Sequence, residues 1–245
     1  MTSLARGLAV LRCFAQQERP MTIAQASRMT GFSRPAVRRC LHTLVRLGYA
    51  KRDGASYALR PKVMSLGYAY LSSTPLAVRA QPLLDSLRDE LGESCSLGVM
   101  ENDEVYYIAR AEISRIMSIA LRVGSRLPLY ATSMGRVLLA GMGAGARAAY
   151  FARTDLVALT EYTETRPNRL QAICAKVAED GFAIVDQELE QGLRSVAVPV
   201  LSADRRVIAA INVGSQALRM SDAELRTRIL PNLRRCSRQL SSLEL

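Results

Sequence analysis

The stretch Ser33-Arg-Pro-Ala-Val-Arg-Arg-Cys-Leu-His-Thr-Leu-Val-Arg-Leu-Gly-Tyr49 decides how this chain is read. Placed at 100° per residue from Arg34, the apolar set Val37, Cys40, Leu41, Leu44 and Leu47 falls between about 220° and 340°. Arg34, Arg38, Arg39, His42, Thr43 and Arg46 fill the arc from 0° to about 180°. One face packs, and the other carries four guanidinium groups, an imidazole and a hydroxyl without a single carboxylate. A helix that needs only solubility mixes Glu and Asp into its outer face. A uniformly cationic face suits a major groove, where Arg grips guanine edges or phosphate oxygens with paired donors. The spacing therefore predicts a recognition helix, with Ser33 as its N-cap and Pro35 in the first turn, where a missing N–H costs nothing. His42 reads equally as a phosphate contact or as a plain surface residue.

The flanking sequence completes a DNA-reading module. Upstream, Leu4, Leu8, Leu11 and Phe14 recur at helical spacing to about Gln17. Thr22-x-x-Gln25 is a capping-box pattern, with Met21 placed to staple against Ala26, and Gly31 ends that second helix. Downstream, Asp53-Gly54 between two short strand-like runs signals a hairpin. A hairpin directly after a recognition helix is a wing, and Lys51 and Arg52 near its tip are candidates for phosphate or minor-groove contact.

Charge is distributed accordingly. Residues 1–75 hold twelve basic and two acidic side chains, for a net +10 of the chain's +11, whereas residues 76–245 hold 21 basic and 20 acidic. A basic block beside a neutral one reads as a nucleic-acid module joined to something else. With 245 residues and 49% hydrophobic side chains, two domains with aliphatic cores are expected. The longest uncharged apolar run, Val137 to Ala146, is about half the ~20 residues that would span a bilayer. Arg6 and Arg12 interrupt the first apolar segment, so no signal peptide is read, and the chain is expected in the cytoplasm without membrane contact.

Catalytic chemistry finds little support. The five cysteines are scattered and never in C-x-x-C spacing, so they read as buried structural thiols rather than disulfides or zinc ligands. His42 is the one histidine, which excludes a multi-histidine metal site and leaves Ser133, Cys95 and Cys174 without an imidazole base. No G-x-S-x-G, P-loop or H-E-x-x-H occurs. Glu188 and Glu190 fall in an expected turn and read as solvated charges. No enzyme, cofactor, catalytic residue or metal is expected.

Beyond residue 61 the pattern changes. A linker helix is expected over 62–75, followed by a helix with Leu76, Leu83, Leu84, Leu87 and Leu91 that ends at Gly92. Strand-like runs at Ser94–Met100, Val105–Ala111 and near Ile116–Val123 precede helical patterns at Met134–Ala140, Ala144–Arg153 and Leu170–Asp180. Strands resume at Phe182–Asp186, Ser195–Leu201 and Val207–Gly214, and a last helix runs from Ser221. Strands joined by short turns with helices to the side predict an antiparallel α+β domain over 76–245. Within it, Thr132 or Ser133 caps a helix whose first amides belong to Met134 and Gly135. Such a helix start offers N–H donors to a carboxylate, and Gly135 is read as the point of close approach.

The run Ser3 to Leu11, the stretch 33–49 and the wing resemble the IclR family of regulators. The Arg-rich helix looks most like its PcaR/PobR branch, which controls aromatic-acid catabolism in the β-ketoadipate pathway. RLPLYATSMGRVLLA (126–140), DQELEQGLRSVAVPV (186–200) and AAINVGS (209–215) carry the resemblance onward. It implies a winged helix-turn-helix over 1–61 that binds operator DNA and a GAF-like domain over 76–245 that binds a small carboxylic-acid effector. It places Ser133, Met134, Leu193, Ser195, Asn212 and Gly214 in the effector pocket, and one member type has Asp where this chain has Val185. A homodimer or dimer of dimers is expected, because paired half-sites are the usual target of such modules. A C-terminal domain used only for oligomerisation and an enzyme targeted to DNA are the competing readings.

Overall fold

Helix α1 (Thr2–Cys13) forms where the leucine spacing predicts one, yet a different set of its side chains is buried. In the computed structural model, which describes residues 2–16, 20–113 and 121–242, Val10 and Cys13 pack inward with Phe14. Leu4 and Leu8 stay 71% and 51% exposed. The helix passes into a 3-10 turn at Phe14–Gln16, and the expected end at Gln17 lies outside the described residues. Strand β1 (Met21–Thr22), too short for a sequence pattern to reveal, leads into α2 (Ile23–Thr30). The capping box closes there: Thr22 Oγ1 accepts from Gln25 N at 3.3 Å, and Gln25 Oε1 accepts from Thr22 N at 2.8 Å. Gly31 ends α2 at φ +70°, a left-handed conformation that glycine adopts without steric cost.

Helix α3 (Arg34–Arg46) buries Ala36, Val37 and Leu41, the last two against Val10, Met21 and Ala26. Each Val or Leu so buried contributes about 1.5–3 kcal/mol. Strands β2 (Ala50–Asp53) and β3 (Ser56–Leu59) form the wing, with Asp53 paired to Ser56 across a Gly54-Ala55 loop. The small antiparallel sheet has the order β1-β3-β2. Helix α4 (Met64–Ser73) ends the first unit, Met1–Ser73, and contributes no buried residue to it.

The second unit, Thr74–Leu245, opens on α5 (Pro75–Leu91), whose Leu84, Leu87 and Leu91 face inward and whose Gly92 cap sits at φ +64°. Strands β4 (Ser94–Glu101) and β5 (Glu104–Ala111) meet at Asn102-Asp103, both at positive φ, where Asn and Asp are the tolerated non-glycine residues. After the short strand β6 (Arg126–Pro128) come α6 (Ser133–Ala140), α7 (Ala144–Arg153) and α8 (Pro167–Asp180). Then follow β7 (Ala183–Asp186), β8 (Leu193–Leu201) and β9 (Val207–Gln216). All pairings are antiparallel, in the order β6-β5-β4-β9-β8-β7. The α+β expectation holds.

Of the strand expected near Ile116–Val123, residues 114–120 lie outside the described residues, and 121–123 form no strand. The last helix is not uniform either. Helix α9 (Asp222–Glu224) widens to a π turn over Leu225–Ile229 before α10 (Leu230–Ser241). Pro231 has no amide to continue the i→i−4 ladder, and the Leu230 amide bonds back to Leu225 instead. The core between α6, α8 and the sheet includes Leu129, Met134, Leu139, Leu170 and Ala210.

Candidate functional site

In the first unit α3 presents Arg34, Arg38, His42 and Arg46 to solvent, with Ser33 exposed at its start and Lys51 and Arg52 exposed on the wing. Ser33 holds the N-cap position without a side-chain capping bond, which leaves its hydroxyl available. Among the described residues, every ion pair lies in the second unit, so no described carboxylate pairs with these cations. Arg52 is partly tied, since its Nε donates to Gly54 O at 2.8 Å. Arg39 and Thr43 stand apart from the others. They border an apolar groove lined also by Leu4, Leu8, Leu11, Leu44, Leu47 and Leu66, and Thr43 donates to Arg39 O. The cationic arc read from the sequence is thus divided into an outward face and a groove edge.

In the second unit a cavity of about 40 Å³, partly open to solvent, lies over one face of the large sheet. Paired positions place its strand residues. Ser94, Gly214, Ser195 and Val185 form one cross-strand row, and Asn212 lies two residues from Gly214 on the same face of β9. Of the seven expected pocket residues, Ser133, Leu193, Ser195, Asn212 and Gly214 line the cavity, together with Val185.

Met134 and Gly135 do not line it. Met134 is wholly buried in the core. A Cβ on Gly135 would come within 2.1 Å of Leu129 O, so this glycine exists for helix packing rather than for ligand approach. Its amide is also committed, donating to Thr132 Oγ1 at 3.1 Å. The carboxylate chemistry expected at the start of α6 therefore loses one of its two donors. Leu127 likewise packs on the core.

A stronger anion partner, missed in the sequence, comes from β5. Arg110 lines the cavity with its side chain only 12% exposed. Its Nη1 donates to Ser96 Oγ at 2.8 Å, and Nη2 lies 3.8 Å from Glu112 Oε1. Its Nε is buried without a hydrogen-bond partner among the described residues, as is Ser133 Oγ. An unpaired buried donor of this kind costs free energy until something accepts from it. Tyr107 lines the same cavity although strict alternation would put positions 107 and 110 on opposite faces. The register shift between Leu97 and Gly98 leaves Ile108 unopposed, and that bulge returns both side chains to one face. Burial and the low-dielectric surroundings push the Tyr107 hydroxyl pKa up.

Glu188 and Glu190 are not the solvated pair that the sequence suggested. Glu188 receives both terminal nitrogens of Arg136, at 2.7 and 2.6 Å, with side-chain exposures of 12% and 3%. It also accepts from Glu164 N at 2.9 Å, while Arg136 Nε donates to Tyr130 O. The loop 187–192 is fastened further by Thr163 Oγ1 donating to Glu188 O and Thr160 Oγ1 donating to Gln187 O. This places Leu189 and Glu190 on the cavity wall, where Glu190 Oε2 is buried without a hydrogen-bond partner among the described residues. Three of the thiols are held in the protonated form: desolvation raises Cys174 and Cys236 to about 11, and burial raises Cys95 further. Among the described residues no cluster of His, Cys, Asp and Glu could hold a metal ion.

Comparison with known proteins matches this arrangement across nearly the whole chain. Residues 3–54 match the model of the IclR helix-turn-helix domain, and residues 68–242 match that of the bacterial transcriptional regulator IclR C-terminal domain. The chain is 52% identical to the Pca regulon regulatory protein of Pseudomonas putida, over 98% of this chain and 83% of that protein. It superposes with a TM-score of 0.89 on the crystal structure of a putative transcriptional regulator from Rhodococcus sp. RHA1, 42% identical, covering 98% of this chain and 97% of that one. A double mutant of the PobR inducer-binding domain from Acinetobacter, in complex with 3-hydroxybenzoic acid, is 30% identical. It superposes with a TM-score of 0.66, over 69% of this chain and 99% of that one.

Proposed function

We propose, from the premise that this chain belongs to the IclR family of bacterial transcriptional regulators, that it binds operator DNA through α3 and the wing and responds to a small, aromatic or ring-derived carboxylic acid held in the second unit. The observation that carries the effector reading is Arg110: a buried guanidinium whose Nε has no hydrogen-bond partner among the described residues, facing a cavity walled by Tyr107, Leu121, Leu189 and Leu193. A carboxylate offers this group a charge-assisted bond in low dielectric, and the apolar walls accept the rest of the molecule. Ser133 Oγ supplies a further polar contact, and Ser195 and Asn212 bound the same space. The likeness to the Pca regulon regulatory protein and to the PobR domain bound to 3-hydroxybenzoic acid supports an acid of this class and a role in aromatic-compound catabolism. The place of action is that of the DNA, the cytoplasm.

For the DNA contact, Arg34, Arg38, His42 and Arg46 supply the groove-facing side chains, and Ser33, Lys51 and Arg52 supply phosphate contacts. Arg39 and Thr43 serve at the edge of the apolar groove. That groove, with Leu4, Leu8 and Leu47 exposed beside an α4 that buries nothing, suits a second copy of the chain. Two copies would bring two α3 helices to paired half-sites. Leu8→Asp should then shift sedimentation toward monomer, and an unchanged profile would remove the groove from the dimer.

Calorimetry with 4-hydroxybenzoate and its primary amide tests the effector site. The acid should bind about tenfold or more tightly, and Arg110→Met should remove the difference, as loss of a charge-assisted bond does. Equal binding of acid and amide to the unaltered protein would rule out a carboxylate site at Arg110, and binding of neither would favour the reading in which the second unit serves only oligomerisation.

A further inference from the structure

We infer that Lys62 is a positioning residue for operator reading: its ammonium fastens the C-terminal end of α3 to the first turn of the linker, so that recognition helix and linker move as one piece. This rests on the reading of α3 as the DNA-contacting helix and adds how its aim is set. Helix α3 closes in a Schellman arrangement, with Gly48 at φ +79°, Gly48 N donating to Val45 O at 3.0 Å and Tyr49 N donating to Leu44 O at 2.9 Å. Those bonds satisfy the carbonyls of Leu44 and Val45 and do not use that of Leu47. Lys62 Nζ, 15 residues on, donates to Leu47 O at 2.9 Å and lies 5.1 Å from the centre of the Tyr49 ring.

The seat is chemically selective. Leu47 O stands at the negative end of the α3 dipole, and the face of an aromatic ring is also negative, so both draw an ammonium. The end of α3 is otherwise cationic, with Arg46 in its last turn, and repels Lys62 elsewhere. The lysine stem runs beside Gly48, where a Cβ would stand 3.7 Å from Lys62 Cδ.

From the same residue the backbone enters the linker. Lys62 belongs to the 3-10 turn Pro61–Val63, which runs directly into α4. Ser65 Oγ donates to Lys62 O at 2.8 Å, and Arg60 N donates to Tyr49 O at 2.8 Å. Tyr49 is thus gripped by its ring and by its carbonyl where α3 gives way to the wing. Helix α4 buries none of its residues, and its Leu66 reaches the groove beside Leu44 and Leu47. The base of the linker is therefore seated on the end of α3 at a polar point and an apolar one. A turn of that base pulls on the last carbonyl of the helix that reads DNA. Such a pull acts on aim rather than on charge: phosphate attraction tolerates a small tilt, whereas hydrogen bonds to base edges are directional.

The test uses the full-length protein on a duplex that it selects from a random pool and on a scrambled duplex of the same length. Lys62→Met keeps the stem and removes the ammonium. It should weaken the selected duplex about tenfold and the scrambled one by less than about twofold, as loss of one charged hydrogen bond behind the base contacts would do. Tyr49→Leu, which changes no charge, should lower the same ratio by about threefold, and Lys62→Arg should restore it. Hydrogen exchange should quicken in Lys62→Met at the amides of 47–49 and of 63–65 together. An equal loss on both duplexes, with the salt slope lowered by about one, would make Lys62 a phosphate contact and overturn the inference. Faster exchange at 47–49 alone would leave a helix cap with no hold on the linker, and an unchanged ratio in both Lys62→Met and Tyr49→Leu would also overturn it. Arg34→Ala and Arg38→Ala, run alongside, separate the premise. If neither lowers the ratio, the reading of α3 itself falls; if they do and Lys62→Met does not, only the joint falls.

Discussion

Arg38 and Arg110 are the same side chain in opposite surroundings. Arg38 lies on an exposed helix face in a unit whose cations find no ion-pair partner among the described residues. Arg110 is nearly enclosed, bonded to Ser96 and facing a cavity. In the second unit several arginines are paired: Arg136 with Glu188, Arg153 with Asp103, Arg194 with Asp222. The lesson is one of partner size. A polyanion as large as a duplex is met by many unpaired, hydrated charges, and a small anion by one charge already stripped of water.

This contrast breaks most visibly with salt. DNA binding should weaken by about 10³–10⁵ between 50 and 200 mM salt if 6–10 phosphates are contacted, the usual range for such a surface. Acid binding should change by only about threefold over the same range, because a buried pair is poorly screened. Filter binding beside calorimetry reads both, and a parallel fall would show that Arg110 behaves as a surface charge.

A smaller effect separates ion pairs within the second unit. Glu188→Ala should cost about 3–5 kcal/mol in denaturant unfolding, since it strands a buried Arg136. Asp103→Ala, at an exposed pair, should cost at most about 1 kcal/mol. Equal costs would mean that the Arg136–Glu188 clamp is not what fastens the loop.

Smaller again are the effects expected within the DNA face. Arg38→Ala should cost about 1–3 kcal/mol and relax base preference, while Lys51→Ala should weaken every sequence alike and lower the salt slope by about one. Titration on specific and scrambled duplexes distinguishes them, and an intact specificity ratio in Arg38→Ala would move base reading to another residue.

The first unit was largely legible because its signals are local. The Thr22–Gln25 box, Gly31 and the Asp53-Gly54 turn each act within a few residues, and a helical wheel sorted α3 without reference to anything distant. The wheel could not say that Leu4 and Leu8 are left uncovered, because burial depends on a neighbour. In the second unit the strands were legible but the site was only half so. Ser133, Leu193, Ser195, Asn212 and Gly214 came through resemblance, and the structure lines them up. Gly135 misled, because a glycine that admits a ligand and one that admits Leu129 look identical in sequence. Glu188 misled because its partner is remote, Arg136 lying 52 residues away, and Glu190 because its burial follows from how that pair fastens the loop. Arg110 carried a usable signal, a lone charge in the otherwise apolar run Val105–Ala111.

The unopposed Ile108 gives β5 something like a reading frame. Upstream of it the even and odd positions face one way, and downstream they face the other, so Tyr107 and Arg110 share a cavity only because one residue is counted twice. Deleting Ile108 would change no side chain that touches the cavity, yet it would turn either the tyrosine or the arginine out of it. In this strand, a change in length is a larger step in ligand chemistry than most changes in composition.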